Sequence, residues 1–240
     1  MGFSPSLPLL EDMTKTTRLI LSAILLILGL CILLYPKISN YVNQLHSSQA
    51  IQHLAQQMET ASDNDLLQQL QLARDYNTHL LSFAGFSSDF DPNYYNILDF
   101  GGHMMGYIEI PAIDVSLPIY HGVSAEVLAK GIGHMPQTAF PIGGTGNHSV
   151  LTGHTGLPSA ELFTNLYRLQ IGDTFTITIA NQSVTYRVEQ IKVVLPTQTE
   201  DLLPIPGTDH CTLLTCTPYG INSHRLLVRG ICISVEENKK

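Results

Sequence analysis

A thiol, a guanidinium and an imidazole stand at spacings that suit nucleophilic attack on a carbonyl. The stretch Cys211-Thr-Leu-Leu-Thr-Cys-Thr-Pro-Tyr-Gly-Ile-Asn-Ser-His-Arg-Leu-Leu-Val-Arg-Gly230 reads as a strand ending at Cys216, a Pro-Tyr-Gly turn, and a second strand starting near Arg225. A thiol at the end of one strand and a guanidinium at the start of the next face one cleft. A thiolate nucleophile needs a nearby cation, and the tetrahedral oxyanion formed on attack needs a fixed donor, a part that suits Arg225. The candidate proton carrier is His154, in Leu151-Thr-Gly-His-Thr-Gly156, on a Gly-flanked loop after a strand. Imidazole is the natural group for protonating a leaving amine near neutral pH. On residue types alone the set is only suggestive, because ten histidines make a chance pairing easy.

Other reactive side chains have plainer readings. Cys211 and Cys232 fit small buried hydrophobes. His134, His148 and His154 follow no helix or strand face and no carboxylate or thiol joins them, so a zinc site is not expected. Arg229, four residues after Arg225 and on the same strand face, competes with it for the cleft or makes a surface ion pair. His121 and His224 read as hydrogen-bonded loop residues. With no Cys-x-x-Cys pair, the four cysteines suggest neither a disulfide framework nor redox work, and no cofactor is implied.

The elements that must position these groups are mostly β. After Met105, short β-rich runs punctuated by Pro and Gly cover 107–110, 115–120, 149–152, 174–179, 184–194, 212–215 and 226–234. This spacing predicts a closed or sandwiched antiparallel sheet, interrupted by short helices at 125–130 and 160–165. Upstream, Ile51, Leu54, Ala55 and Met58 recur at helical spacing, and Leu66, Leu70 and Ala73 do so again after the start signal Ser62-Asp63-Asn64-Asp65. Residues 85–102 read as a loop draped over the rest.

The run Leu19–Tyr35 is uncharged and apolar, with Lys15 and Arg18 before it and Lys37 after it. No small-x-small cleavage site directly follows, which favours an uncleaved signal-anchor over a removed signal peptide. The basic residues place the N-terminus in the cytoplasm and the remainder outside. Cys31 lacks a lipid-attachment box, since Leu30 precedes it. Beyond Lys37 there are 9 Lys+Arg against 18 Asp+Glu and no basic stripe, which argues against nucleic acid as a partner.

The Thr-Leu-Leu-Thr-Cys216 motif, followed at short distance by Arg225 and preceded by Thr-Gly-His154, closely resembles the sortases, cysteine transpeptidases of Gram-positive cell surfaces. The longer string from Thr215 to Gly230 resembles the class C, pilin-polymerising branch. Further matches are Gly106-Tyr-Ile-Glu-Ile-Pro111, Leu117-Pro-Ile-Tyr-His-Gly122, Gly131-Ile-Gly-His134 and the helix carrying Ala73-Arg-Asp-Tyr-Asn77. The resemblance implies a closed antiparallel β-barrel preceded by N-terminal helices and a membrane-spanning helix. It makes Cys216 the nucleophile on the Thr–Gly bond of a Leu-Pro-x-Thr-Gly-like sorting signal. His154 would protonate the departing glycine amine and Arg225 would hold the carbonyl or oxyanion. A pilin lysine amine, or an amine of the cell-wall precursor, would then resolve the thioacyl enzyme.

The chain departs from class C at three places. The lid of that class carries an Asp-Pro-aromatic triplet, whereas here Asn93 follows Asp91-Pro92 and Tyr94 comes one place late. The lid is therefore expected to be shortened, built with Tyr94, or absent; Asp91 also suits a turn before Pro92. Thr155 stands where Arg often follows the histidine, and the sequence ends in Glu236-Glu-Asn-Lys-Lys240 without a second span, so tethering is expected to rest on the N-terminal segment. The expected organisation is a cytoplasmic tail and signal-anchor (1–38), a helical appendage (39–83), a loop or degenerate lid (84–104), the catalytic barrel (105–235) and a polar tail (236–240). Two rival readings are a hydrolytic cysteine peptidase, which wants a third residue orienting its histidine, and a non-enzymatic adhesion or assembly module.

Overall fold

The computed structural model describes residues 14–81 and 91–238. Helix α1 runs unbroken over Lys15–Thr60, capped by the Thr14 side chain, which accepts from the Thr17 N–H at 3.3 Å. The apolar run and the first appendage helix are thus one element, continuous through Pro36, where two separate helices were expected. Its first part is exposed and long and apolar enough to cross a membrane. Its last turns bury Leu54 and Met58 against Met104 and Tyr120, whereas Ala55 stays exposed. Helix α2 (Asp63–Leu81) starts where Ser62 Oγ accepts from the Asp65 N–H at 3.1 Å, with Asp63 and Asp65 favoured in its first turn. Its buried stripe is Leu66, Leu70, Ala73, Tyr76 and Asn77.

Eight strands follow: β1 (Met104–Ile110), β2 (Val115–His121), β3 (Ile132–His134), β4 (His148–Thr152), β5 (Thr174–Ile179), β6 (Gln182–Val194), β7 (His210–Thr217) and β8 (His224–Glu237). They close in the order β1-β2-β3-β4-β7-β8-β6-β5. The barrel is mixed rather than wholly antiparallel: β2 with β3 and β4 with β7 pair parallel, and the other six pairings are antiparallel. Both parallel pairs need a crossover: β2 reaches β3 through α3 (Ala125–Lys130), a helix where one was expected, and β4 reaches β7 by way of β5 and β6.

Strand β3 escapes a sequence reading because it is three residues long with a glycine at its centre. A Cβ on Gly133 would stand 2.4 Å from the Gly122 carbonyl oxygen, so close backbone approach dictates the residue. The helix expected at 160–165 is a set of turns followed by a 3₁₀ turn at Leu166–Arg168. Leu162 has φ +38°, which ends any right-handed helix there, while Phe163 and Leu166 are fully buried. Burial of two large side chains overrides local propensity.

Helix α2 is fastened to the barrel by Asn77, whose amide donates to the Phe140 carbonyl at 3.0 Å and accepts from the Phe140 N–H at 2.7 Å. Beside it, Tyr76, Tyr94, Phe140 and His134 stack in one aromatic cluster. His134 donates from Nε2 to the Ala139 carbonyl at 2.9 Å and receives the Tyr94 hydroxyl at Nδ1, also at 2.9 Å. Burial pushes its pKa down to about 3, so it is a neutral structural group.

Asp209, just before β7, lies at the barrel end opposite Thr217. Burial drives its pKa from the ordinary 3.8 up to about 7, although the Cys232 thiol, the Gly144 amide and the Tyr186 hydroxyl favour the carboxylate. Neither of its oxygens has a partner in hydrogen-bonding geometry among the described residues.

Two predictions follow from these contacts. Asn77→Ala leaves the buried Phe140 N–H unpaired, while its C=O keeps the Ile142 N–H, and is expected to lower stability by about 1–3 kcal/mol in urea titration, with no loss of β signal at low denaturant. For Asp209, a folded pKa above the unfolded one means the native state holds the proton more tightly, so its own contribution to stability is greatest at acid pH. It declines as pH rises from about 4 to about 7. Asp209→Asn should flatten that decline and raise Tm at pH 8, where the gain is on the order of 2–4 kcal/mol.

Candidate active site

Strand β7 sits between β4, parallel to it, and β8, antiparallel to it, and its register places the reactive groups. Cys216 pairs with Arg225 across β7 and β8, so both side chains project from one face. On the other side Thr152 pairs with Leu214, the last pair of the β4–β7 ladder. Beyond it the chain stays tied to β7: the Gly153 N–H donates to the Leu214 carbonyl at 3.2 Å, and Thr215 Oγ1 donates to the Gly153 carbonyl at 2.7 Å. His154 follows Gly153 directly, two residues past the end of this ladder. Its carbonyl accepts from the Phe163 N–H at 3.1 Å, which fixes the loop from the outside.

The Cys216 thiol is half-buried and opens into a cavity of about 550 Å³ lined by Thr155, Thr164, Asn165, Tyr167, Tyr219 and Leu226, among others. His154 and Arg225 adjoin this wall through their chain neighbours Thr155 and Leu226. Arg225 donates from Nη1 to the Asn222 and His224 carbonyls at 3.2 and 3.0 Å, so its guanidinium is held by the β7–β8 turn. That turn closes on the Pro218 carbonyl, which accepts from the Ile221 and Asn222 N–H groups. A half-buried thiol that opens into a shaped cavity, with an arginine paired opposite it on the next strand, is a candidate nucleophile for acyl transfer through a thioester.

The remaining candidates fall elsewhere. Arg229 pairs in register with Thr212 and donates to Glu189 at 2.9 Å, so it forms the ion pair and not the cleft residue. Glu189 is the extra residue of a bulge in β6 between Val188 and Gln190, which turns its carboxylate toward both Arg229 and His210, the latter at 3.1 Å. His148 bonds the Leu203 carbonyl through Nδ1 and Thr212 Oγ1 through Nε2, and burial lowers its pKa to about 4. Cys211 is fully buried and Cys232 half-buried, and burial raises both thiols, the second to about 11. His121 bonds the His103 and Ile97 carbonyls, and His224 the Ser223 hydroxyl.

The triplet considered for a lid is not brought to Cys216. Tyr94 is fully buried, with its hydroxyl on His134 and accepting from the Gly122 N–H at 3.1 Å. Asp91 caps the turn that starts there, accepting from the Asn93 N–H at 2.8 Å. Pro92 is exposed, and neither it nor Asp91 lines the Cys216 cavity. This is the turn reading of Asp91, with Tyr94 serving the core; residues 84–90 of the expected lid loop lie outside the described residues.

A sortase domain model matches residues 108–232, more than half of the chain. The chain belongs to the sortase family. Among solved structures it is similar to sortase C1 of Streptococcus agalactiae, at 40% identity and a TM-score of 0.75, covering 78% of this chain and 98% of that one. Sortase C-1 of Streptococcus pneumoniae matches at 42% identity and a TM-score of 0.71, with 78% and 98% covered. The similarity is thus to class C, pilin-polymerising sortases. Among curated relatives, sortase A of Streptococcus agalactiae is 31% identical over 117 residues, covering 48% of this chain and 47% of that protein. The chain spans about half the length of the curated relatives it matches first.

Sequence reasoning passed over the cavity wall formed by Thr164, Asn165, Tyr167 and Tyr219. The first three lie in the segment read as a helix and its continuation, and Tyr219 was absorbed into a turn signal. Its sequence mark is Gly156: φ is +71° there, and a Cβ would stand 2.8 Å from Tyr219 Cε2. Gly156→Ala in this sortase should therefore cost about 1–3 kcal/mol and displace the Tyr219 ring. Tyr219→Ala, which removes the ring without the strain, should speed alkylation of Cys216 by iodoacetamide, mapped by mass spectrometry. An unchanged rate would show that the ring does not screen the thiol.

Proposed function

We propose that this sortase is a cysteine transpeptidase of pilus assembly, with Cys216, His154 and Arg225 as its catalytic set. The observation that carries the reading is the register that sets Cys216 opposite Arg225 while the His154 loop is tied to the same strand. Cys216 Sγ attacks the Thr carbonyl of a Leu-Pro-x-Thr-Gly-like sorting signal. Arg225 donates to the oxyanion, and collapse of the tetrahedral species breaks the Thr–Gly bond as His154 gives its proton to the glycine amine. The thioacyl enzyme is then attacked by a lysine amine of a pilin subunit, which loses a proton to His154. The isopeptide bond forms and the Cys216 thiolate departs. Water is the slow competitor.

The apolar run of α1 crosses the membrane once, with the barrel outside and the sorting signal and acceptor amine as partners. Support comes from the exposed apolar face of α1 and from the class C similarity.

The test is mass spectrometry of the protein incubated with a Leu-Pro-x-Thr-Gly-type peptide, with and without a lysine-bearing pilin fragment. An adduct on Cys216 that passes to the lysine amine is the expected result. Cleavage indifferent to added amine would instead identify a hydrolase, and no adduct with any such peptide an assembly module. Cys216→Ala should abolish the adduct, His154→Ala should slow transfer by about 10²–10⁴-fold, and Arg225→Ala by about 10²–10³-fold. Arg229→Ala should leave the rate of transfer nearly unchanged.

A further inference from the structure

We propose that the rim of the Cys216 mouth is a membrane-interfacial surface, with Tyr167, Tyr219 and Ile221 seated in the lipid headgroup layer. This rests on the reading that α1 crosses the bilayer. The three side chains are 68%, 71% and 73% exposed. Tyr219 and Ile221 lie in the turn joining β7 to β8. Tyr167 and Tyr219 line the cavity of Cys216 itself.

Helix α1 sets the height of this rim. Ser39 Oγ donates to the Ser159 carbonyl at 3.3 Å, and the Glu161 N–H donates to Asn40 Oδ1 at 2.9 Å. Ser39 is four residues beyond Tyr35, the end of the apolar run, which is about 6 Å along a helix. A headgroup layer is itself about 5–7 Å thick on each side of the hydrocarbon. A groove of about 560 Å³ runs between Pro36, Lys37 and Tyr41 on α1 and Gly156, Leu157 and Tyr219 on the barrel, sharing Thr164 and Tyr219 with the catalytic cavity. The tyrosines at this level have the amphipathic ring that favours the interface, and Ile221 gains by leaving water. A lipid surface is favoured over a polypeptide as the occupant because α1 already carries the rim to that depth.

The chain has no tryptophan, so a single introduced indole reports on its own position. Full-length protein would be reconstituted in phosphatidylcholine and phosphatidylglycerol vesicles containing brominated acyl chains, carrying Ile221→Trp, Tyr167→Trp, Ile233→Trp or Ile27→Trp. Ile233 is on β8 toward the opposite end of the barrel, and Ile27 is inside the apolar run. Ile221→Trp and Tyr167→Trp should be blue-shifted and quenched, less strongly than Ile27→Trp, while Ile233→Trp stays unquenched. If Ile27→Trp is quenched but the two rim positions behave like Ile233→Trp, the rim stands in water and is free for polypeptide substrates, and the proposal fails. Should Ile27→Trp also escape quenching, the membrane-crossing reading falls and takes this inference with it.

Discussion

The register of β7 is the constraint on which the site depends. Side chains alternate along a strand, so a one-residue slip against β8 would turn Cys216 away from Arg225. The slip is blocked from both sides. Thr215 is buried and its hydroxyl is committed to the Gly153 carbonyl, and Leu213 is buried in the main core. Farther along, the Arg229–Glu189–His210 contacts lock β8, β6 and β7 at one level. Cys216 is therefore placed by the fastening of the strand that carries it.

The histidines divide by what surrounds them. His134 and His148 are satisfied at both ring nitrogens and are held neutral by burial, so they fasten elements without bringing charge into the interior. His154 stands on a loop that is anchored through its backbone.

Much of the barrel was legible because alternation of β-branched residues between Pro and Gly is a local signal. All the expected runs coincide with strands, and β5 does so to the residue. Strand direction is not local, and nothing in periodicity reports that β3 and β4 each acquire a parallel neighbour. The continuity of α1 through Pro36 was hidden for a related reason, since a proline ordinarily marks a boundary. At the site, the hairpin spacing of Cys216 and Arg225 could be read directly. The depth at which Tyr94 is buried could not, because its partners His134, Phe140 and Tyr76 are far apart in sequence.

The anchor helix is also masonry. Pro36 and Lys37, at the end of the apolar run, form one side of the groove that joins the catalytic cavity, and the first hydrogen bonds from α1 to the barrel come at Ser39 and Asn40. A fragment trimmed at residue 38 to make it soluble would keep Cys216, His154, Arg225 and the whole barrel, yet lose Pro36 and Lys37 and leave Asn40, Tyr41 and Gln44 of the groove on a newly cut helix end. An assay on such a fragment would describe a groove with one side shortened, without any change in the residues around Cys216.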